Sequence, residues 1–337
     1  MSKPFVFISL FTFFYSFLSA QQVTALTSGT KTSLRGLSVV NNNIIWVSGS
    51  SGTVGRSVDG GKNWQWTHVK GFEKKDFRDI EAFDGQTAVI MAIAEPAIIL
   101  KTTDGGDHWN EVFRDTAKGM FLDAMDFYDK NNGIVIGDPV DGKFYMAKTR
   151  NGGNSWARTP LVMESKPVSG EACFAASGTN IHYFRNKDFL FVSGGTESRL
   201  HDDTGGRLID ILQGKETTGA NSVAVRDQHG GLSDHIIIVG GDFAHDKDTI
   251  LNCVFTNNGG KSWQHPATPP HGYRSCVEYI SKKRLITCGT SGVDVSADSG
   301  VHWQLISQDS FNVCRKAKKG EAVFLAGNNG TIAKLVW

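Results

Sequence analysis

Short apolar runs alternate along the chain with turns rich in Gly, Asn and Asp, a pattern typical of strands joined by hairpins. In the first repeat, residues 37–40 form one apolar run, 41–43 a turn and 44–48 the next run. Two further runs follow after a second turn, and the last of them begins at Trp64. The pattern predicts a unit of four strands, and the same order recurs to the end of the chain.

An eight-residue motif, Ser/Thr-x-Asp/Asn-x-Gly-x-x-Trp, lies between the third and fourth strands of these units; we call it the Asp-box. The Asp or Asn oxygen is expected to accept N–H groups of its own turn, and the Gly to supply a left-handed backbone. Each tryptophan is expected to be buried between units. A weaker sixth copy at 201–208 keeps the Asp and the Gly. The Asp/Asn and Trp positions of the five full copies are Asp59 and Trp64, Asp104 and Trp109, Asn151 and Trp156, Asn258 and Trp263, and Asp298 and Trp303.

The Asp-box tryptophans recur about every 40 to 47 residues, with one double interval, and this period with four strands per unit is typical of propeller blades. We therefore predict an all-β fold, a single seven-bladed β-propeller with four-stranded blades over residues 21–337. The last repeat holds only three strands, so the strand at 23–27 is predicted to complete its blade and hide an open edge. The predicted repeats are 33–68, 77–113, 121–160, 170–212, 219–266, 271–307, and 311–337 together with 21–30.

Charge is nearly balanced, with 35 Lys and Arg against 34 Asp and Glu. This balance argues against a nucleic-acid partner, which would demand a basic face. Residues 1–20 have the features of a signal peptide: Lys3, an apolar run at 5–17 and a small residue, Ala20, at the cleavage position. We predict a periplasmic or secreted monomer that begins near Gln21 and has no stable membrane span; an uncleaved membrane anchor is the alternative interpretation.

The five cysteines show no metal-binding spacing, and no cofactor motif is present, so neither a metal nor a cofactor is predicted. Cys276 and Cys314 occupy the positions of core residues in other repeats, which predicts buried thiols. A bridge between Cys276 and Cys288 across a hairpin is the alternative.

The Asp-boxes resemble bacterial neuraminidase-type repeats. The wider unit, in which 77–80 opens a blade and 101–106 closes it, is similar to the photosystem II stability and assembly factor family, and the resemblance covers 21–337. It implies a seven-bladed propeller that binds proteins as an assembly chaperone. Asp-boxes also occur in sialidases, other glycosidases and sorting receptors, so the motif specifies the fold better than the function.

Aligned repeats place one residue of each blade at the start of the inner strand, around the mouth of the central channel. Guanidinium groups bind carboxylates and other anions through paired hydrogen bonds. We therefore expect Arg35, Arg78 and Arg274, with Glu171, to form a site for an anionic ligand; the alternative is that these charges pair with one another and hold blades together. The aligned positions are Arg35, Arg78, Leu122, Glu171, Asn221, Arg274 and Asn312, and nearby second turns add Glu95, Asp138, Asp141, Asp242 and His245.

Two functions fit this arrangement. The first is an exported binding or assembly module that presents the channel mouth to a protein or an anionic glycan. The second is a secreted, sialidase-like glycosidase acting on an acidic glycan, in which Glu171 and Tyr273 would be the catalytic residues. The second is weakened because Arg35 is followed by Gly-Leu instead of the Ile-Pro typical of sialidases, and because seven blades are predicted instead of six. We therefore favour a protein that is not an enzyme.

Overall fold

The computed structural model describes residues 21–27, 29–159, 166–186, 188–226 and 234–336, which form an all-β structure whose only helix is the three-residue 3-10 turn Asn328–Gly330. The all-β prediction is therefore confirmed. No helix in these ranges is long and apolar enough to cross a membrane. The predicted signal peptide, 1–20, lies outside the described residues.

The strands follow one another with short connections. In chain order they are β1 (Gln22–Thr27), β2 (Leu34–Val39), β3 (Ile45–Gly49), β4 (Thr53–Ser57), β5 (Gln65–His68), β6 (Phe77–Ala82), β7 (Ala88–Ala92), β8 (Ala97–Thr102), β9 (Asn110–Asp115), β10 (Leu122–Phe127), β11 (Gly133–Val140), β12 (Lys143–Thr149), β13 (Ala157–Arg158), β14 (Glu171–Ala172), β15 (Ile181–Tyr183), β16 (Phe189–Gly195), β17 (Arg199–Asp202), β18 (Gly205–Leu208), β19 (Thr218–Val225), β20 (Ile236–Asp242), β21 (Cys253–Thr256), β22 (Cys276–Tyr279), β23 (Leu285–Gly289), β24 (Gly292–Ser296), β25 (Gln304–Ser307), β26 (Val313–Lys316), β27 (Val323–Ala326) and β28 (Ile332–Val336).

Antiparallel pairing joins these strands into four-stranded sheets and one larger sheet. Four sheets run in chain order, β2 to β5, β6 to β9, β10 to β13 and β22 to β25, and another has the order β1-β28-β27-β26. The larger sheet contains β14 to β21, and its two halves meet at one residue pair, Gly194 opposite Gly219. A Cβ atom on Gly219 would lie 2.5 Å from the Gly194 Cα atom, so this contact requires glycine.

One strand of each sheet or half-sheet contacts the corresponding strand of the next. In order these strands are β2, β6, β10, β15, β19, β22 and β26; each contacts the one that follows it, and β26 contacts β2. We call these seven the inner strands. The apolar core lies between neighbouring sheets, as where Trp46 of β3, Val54 of β4 and Ile80 of β6 pack in one cluster. At the other end of the chain, β1 pairs antiparallel with β28, with Val23 opposite Leu335.

All five Asp-boxes form the same hydrogen-bonded turn. In the first box, the Ser57 hydroxyl accepts the Gly61 N–H and donates to Asp59, each at 2.9 Å. The Asp59 carboxylate accepts the N–H of Asn63, also at 2.9 Å. The Asp or Asn was predicted to hold its own turn, but the equal part played by the Ser or Thr hydroxyl was not.

The Asp-box turns and the turns after the inner strands lie at one end of the ring. The Gly60 N–H donates to the Asn43 carbonyl at 3.0 Å, and the Gly105 N–H donates to that of Gln86 at 2.9 Å. We call this the Asp-box end. The inner strands begin at the opposite end.

The weaker sixth copy does not form an Asp-box. Asp202 pairs with Gly205, so Asp203 and Thr204 alone connect β17 to β18. The reason is the first position of the motif, where His201 replaces the hydroxyl that accepts the glycine N–H in the other copies.

The prediction that every Asp-box tryptophan is buried is only partly right. Trp303 is buried, with 3% of its surface exposed. Trp64, Trp109, Trp156 and Trp263 are half-buried and pack against the margins of the inter-sheet clusters. One part of each of these rings is therefore exposed.

The cysteines of the described chain are buried free thiols. Cys276 lies directly opposite Cys288 in the β22–β23 pair, as the bridge hypothesis requires, but the two are not bonded. Instead, the Cys276 and Cys314 sulfurs lie 3.7 Å apart, between adjacent inner strands.

Candidate functional site

A β-bulge near the start of several inner strands positions the residues that the repeat alignment identified. In β2, β6 and β19 the pairing skips Arg35, Arg78 and Asn221 respectively, so none of these residues has a partner directly opposite. A bulge redirects the extra side chain. The orientation of these polar side chains is therefore set by the bulges and does not follow the regular alternation of a strand.

In β10 the skipped residue is Asp123, so the predicted position, Leu122, is wrong by one residue. Leu122 is part of the apolar core. Asp123 is completely buried, and among the described residues its carboxylate contacts only backbone N–H groups of Asp138 and Ala175, whose geometry is too poor for good hydrogen bonds. Burial, followed by the neighbouring carboxylate of Asp138, raises the pKa of Asp123 well above its usual range. Asp123 therefore favours the neutral form and supplies little counter-charge.

The inner strand predicted near 170 is interrupted by eight residues, 173–180, which we call the central segment. It separates β14 from β15, and residues 175–180 are all buried. The Arg35 Nη1 atom donates to the Ala176 carbonyl at 3.1 Å, and the Arg78 Nη1 atom donates to that of Ala175 at 3.4 Å. Two arginines that were expected to face a ligand therefore bind the chain's own backbone.

The central segment also binds inner strands on the far side of the ring. The Ser177 hydroxyl donates to the Ser275 carbonyl at 2.7 Å, and the Thr179 and Ser222 hydroxyls lie 2.6 Å apart. Gly178 has a φ of 68°, and a Cβ atom there would lie 2.3 Å from the Asp79 carboxyl carbon. These small residues fill the channel and close it between its two ends.

Arg35 and Arg78 are the pair of predicted arginines that the structure brings together. Arg78 forms an ion pair with Asp76 at 2.8 Å, and both arginines are half-buried. Burial lowers the pKa of Arg35, and the positive charge of Arg78 lowers it further. This small patch therefore retains more positive charge than Asp76 neutralises.

Arg274 is not part of that patch, so the predicted site of three arginines is wrong. Arg274 is completely buried, and its Nε atom donates to Asp294 at 2.8 Å while a second nitrogen contacts the same carboxylate. It also donates to the Tyr273 carbonyl and to the Ser291 hydroxyl, each at 2.8 Å. All three guanidinium nitrogens of Arg274 therefore donate hydrogen bonds within the fold.

Glu171 and Tyr273, the weak catalytic candidates, lie in separate hydrogen-bond networks. The Glu171 carboxylate accepts from the Ser193 hydroxyl and lies 3.1 Å from His201 Nε2. Burial opposes its ionisation, but these hydrogen bonds lower the pKa of Glu171. The Tyr273 hydroxyl donates to Asn221 at 2.8 Å, and burial raises its pKa. The two residues therefore do not form the expected nucleophile pair.

The acidic residues of the second turns make contacts within the fold, some in their own loop and some with the next sheet. Glu95 accepts the Gly119 N–H, and Asp138 accepts the Cys173 N–H at 2.9 Å. Asp242 lies 2.9 Å from His245, and Asp141 occupies a turn with a φ of 54°. Asp242 and His245 line a smaller cavity of about 270 Å³, to which the other three acids do not contribute among the described residues.

An open cavity of about 780 Å³ lies at the Asp-box end of the channel. Its wall is formed by the second halves of the seven inner strands and the loops after them, and we call it the funnel. Tyr128, Tyr183 and Tyr279 contribute aromatic surface. The central segment separates the funnel from Arg35 and Arg78, so the accessible concave surface lies at the opposite end from the one predicted.

Charged side chains cover the deep part of the funnel. Arg315 lies 3.4 Å from Glu278 and donates to the Gly178 carbonyl at 3.3 Å, at the boundary with the central segment. Asp79 accepts the Met125 N–H at 2.7 Å. Lys318 donates to Glu81 at 2.5 Å from the loop after β26.

These carboxyl groups have raised pKa values. Burial raises the pKa of Asp79 to about 8 and that of Glu278 to about 7, although Arg315 opposes both shifts. Burial also raises the pKa of Glu81. The carboxylates of Glu278 and Asp79 in turn raise the pKa of Arg315, against the effect of burial. The deep funnel is therefore a partly desolvated site, although acidic and basic residues are equal in number over its whole lining.

The sequence offered a sign of the funnel that the repeat alignment did not use. Charged residues alternate in strands that should be the most buried of the fold, as Asp79 and Glu81 do in β6. Asp126, Glu278 and Arg315 are also charged residues within inner strands, β10, β22 and β26 respectively. Within the described ranges, no group of three or more His, Cys, Asp or Glu side chains is arranged to hold a metal ion.

Known proteins share this architecture. The family model of the photosynthesis system II assembly factor YCF48 matches residues 18–119, under a third of the chain. No curated protein is similar enough in sequence to count as a relative.

Solved structures match along almost the whole chain. A structure of YCF48 bound to a D1 peptide has a TM-score of 0.67 at 16% identity, covering 95% of this chain and 96% of that one. YCF48 from Cyanidioschyzon merolae has a TM-score of 0.66 at 16% identity, covering 94% and 98%. The WD40 β-propeller domain of Doa1 has a TM-score of 0.62 at 12% identity, covering 95% and 98%. The predicted resemblance is thus confirmed: the chain is a β-propeller similar to the YCF48 assembly factors, by sequence in its first third and by fold over nearly its full length.

Proposed function

We propose that this protein is an exported, seven-bladed propeller that binds another polypeptide as an assembly or carrier module, with the funnel as its contact surface. The observation that carries the proposal is the funnel, an open cavity of about 780 Å³ on a ring whose channel is otherwise filled. Ligand sites are typically concave surfaces of this size with a few convergent polar groups.

The count of seven blades treats the two halves of the larger sheet as separate blades. Their junction at one pair of glycines, Gly194 and Gly219, supports this division. Pairing of β1 with β28 supports a last blade completed by the N-terminal strand, an arrangement in which β1 covers the edge of β28. Such a ring holds its loops on a rigid frame, as a binding surface needs.

A polypeptide is favoured over a glycan for two reasons. The catalytic groups of a sialidase-like enzyme do not come together, because Glu171 binds Ser193 and Tyr273 binds Asn221. In addition, a YCF48 propeller similar in fold has been solved with a D1 peptide bound. We propose a protein partner of this general kind, and no photosystem component is implied.

The opposite end of the ring offers a second contact point within the same proposal. Arg35 and Arg78 retain positive charge beyond what Asp76 neutralises, and the Arg78 side chain is 27% exposed. We propose that an anionic group of the partner binds there.

Photo-crosslinking tests the proposal directly. Tyr128 lines the funnel and is half-buried, so Tyr128→p-benzoylphenylalanine places a photoreactive group there with little change of shape. Leu208 lies on the outer strand β18 with 63% of its surface exposed, and Leu208→p-benzoylphenylalanine is the matched control. We expect irradiation of producing cells to join a polypeptide to the funnel variant and not to the control.

Equal adducts from both positions, or adducts with carbohydrate only, would overturn the binding proposal. Export is tested separately by cell fractionation and by the mass of the purified chain, which should begin near Gln21. A chain that keeps residues 1–20 in the cytoplasm would contradict export.

A further inference from the structure

The turns that follow the inner strands at the Asp-box end differ in charge around the ring. The described parts of those after β2, β6, β10, β15 and β19 are nearly balanced, with Asp84, Asp129, Asp188 and Asp234 against Lys130, Arg185 and Arg226. The stretches 280–284 after β22 and 316–322 at the end of β26 have an excess of positive charge, and we call them the basic sector. Their charged residues are Lys282, Lys283, Arg284, Lys316, Lys318 and Lys319 against Glu321.

Acids of the fold neutralise only part of this charge. Lys316 lies 3.2 Å from Glu321, and Lys318 is paired with Glu81 at 2.5 Å. The remaining lysines are exposed, and their side chains form no ion pair within the described ranges: Lys282, Lys283 and Lys319.

Nearby carboxyl groups do not offset these three lysines. Asp298 of the adjoining Asp-box accepts the His302 N–H at 2.9 Å and contacts the His302 ring. In the deep funnel, burial raises the pKa of Glu278 to about 7 and that of Asp79 to about 8, so both are partly protonated near neutral pH. The basic sector therefore retains positive charge that the fold does not use.

The backbone of the basic sector is held in place by neighbouring turns. The Ser299 N–H donates to the Lys283 carbonyl at 2.8 Å, and the Lys319 N–H donates to the Val40 carbonyl at 3.1 Å. The Asn42 side chain accepts the Ala322 N–H at 3.0 Å. Binding would therefore order little more than side chains, which lowers its entropic cost.

From this asymmetry we propose that the basic sector binds an acidic segment of the polypeptide partner, whose Asp or Glu side chains pair with Lys282, Lys283 and Lys319. The inference rests on the proposed binding function and specifies the chemistry of the partner. Lys316, Lys318 and Lys319 also line the funnel, so a segment that enters the funnel on this side passes the basic sector.

An acidic polypeptide is favoured over a nucleic acid because the basic surface is small. Nucleic-acid binders typically present a broad basic face on a basic domain. Here the chain has 35 Lys and Arg against 34 Asp and Glu, and the excess is confined to two adjacent turns. Charges of this kind, at the rim of a contact surface, mainly select the partner and speed its association.

The test measures binding of labelled hexaglutamate and hexalysine peptides to the purified chain by fluorescence anisotropy at low salt. The sector variant is Lys282→Gln/Lys283→Gln/Lys319→Gln. The control variant, Lys70→Gln/Lys74→Gln/Lys118→Gln, loses the same formal charge from exposed loops at the opposite end of the ring.

We expect the parent to bind hexaglutamate and not hexalysine. The sector variant should bind hexaglutamate about tenfold more weakly, because three exposed ion pairs, each weak alone, are lost together. This difference should shrink as salt rises. The control should stay within about twofold of the parent, and Lys282→Arg/Lys283→Arg/Lys319→Arg, which keeps the charge, should bind as the parent does.

Each other outcome overturns the inference in a distinct way. Equal losses in the sector and control variants would show general surface attraction. Tighter binding of single-stranded DNA or heparin than of hexaglutamate, lost only in the sector variant, would assign the basic sector to a polyanion of another class. If hexaglutamate does not bind but the Tyr128 variant still crosslinks a polypeptide, the acidic preference fails and the proposed function stands; loss of crosslinking is the failure of the function itself.

Discussion

Replacing Arg274 by Met removes the positive half of a completely buried ion pair and leaves the Asp294 carboxylate without its main partner. Removing one member of such a pair typically costs about 3–5 kcal/mol, because the other charge stays buried. Arg274 also donates to the Tyr273 carbonyl and the Ser291 hydroxyl, whose hydrogen bonds are lost together. We therefore expect the upper part of this range.

Urea unfolding followed by tryptophan fluorescence measures this cost. With a slope of about 3 kcal/mol per M for a chain of this size, the midpoint should fall by roughly 1–2 M. Arg274→Met/Asp294→Leu removes both charges, and it should recover most of the loss because apolar residues of similar volume often replace a buried pair at little cost. A single variant that unfolds at the midpoint of the parent would refute the structural role of Arg274, as would a double variant less stable than the single one.

Three further predictions concern stability. Trp303→Ala should lower the free energy of unfolding by about 3–5 kcal/mol, and Trp64→Ala by only roughly 1–2 kcal/mol, because both rings donate to a glycine carbonyl but only Trp303 is buried; equal urea midpoints would contradict this. Deleting residues 21–30 removes β1 and exposes the edge of β28, so calorimetry should show a markedly lower melting temperature, and an unchanged one would count against a completed last blade. The pKa of Glu278 is raised from 4.5 to about 7, so the folded state holds this proton more tightly than the unfolded state, and stability should decline as pH rises through that window. Glu278→Gln should flatten the decline in urea midpoints measured from pH 5 to 8, and a parallel decline in both proteins would assign it to other groups.

The repeat architecture could be predicted from the sequence because every Asp-box uses the same few hydrogen bonds. The Ser57 hydroxyl and the Asp59 carboxylate are needed together, so the motif survives as a spaced pattern that can be recognised. The copy at 201–208 lost the hydroxyl and lost the turn with it. Motif spacing therefore predicted an all-β fold with four-stranded sheets.

The candidate site was harder to predict because it depends on departures from the repeat. The bulge at Asp123 shifts the inner-strand register by one residue, and no pattern of apolar positions records such a shift. Arg274 aligns with Arg35, but its side chain is buried in an ion pair with Asp294 of β24. The central segment occurs in one blade only, so the other repeats offered no template for it.

The central segment has a consequence for how the molecule can be observed. Its hydrogen bonds reach inner strands that are distant in sequence, from Arg35 in β2 to Arg315 in β26. Displacement of any one of these strands removes a support from residues 175–180, whereas a single outer strand can fray without touching them. The hydrogen–deuterium exchange rates of these amides should therefore report on the integrity of the whole ring. A partner that stabilises or destabilises strands distant in sequence should change the exchange rates of residues 175–180.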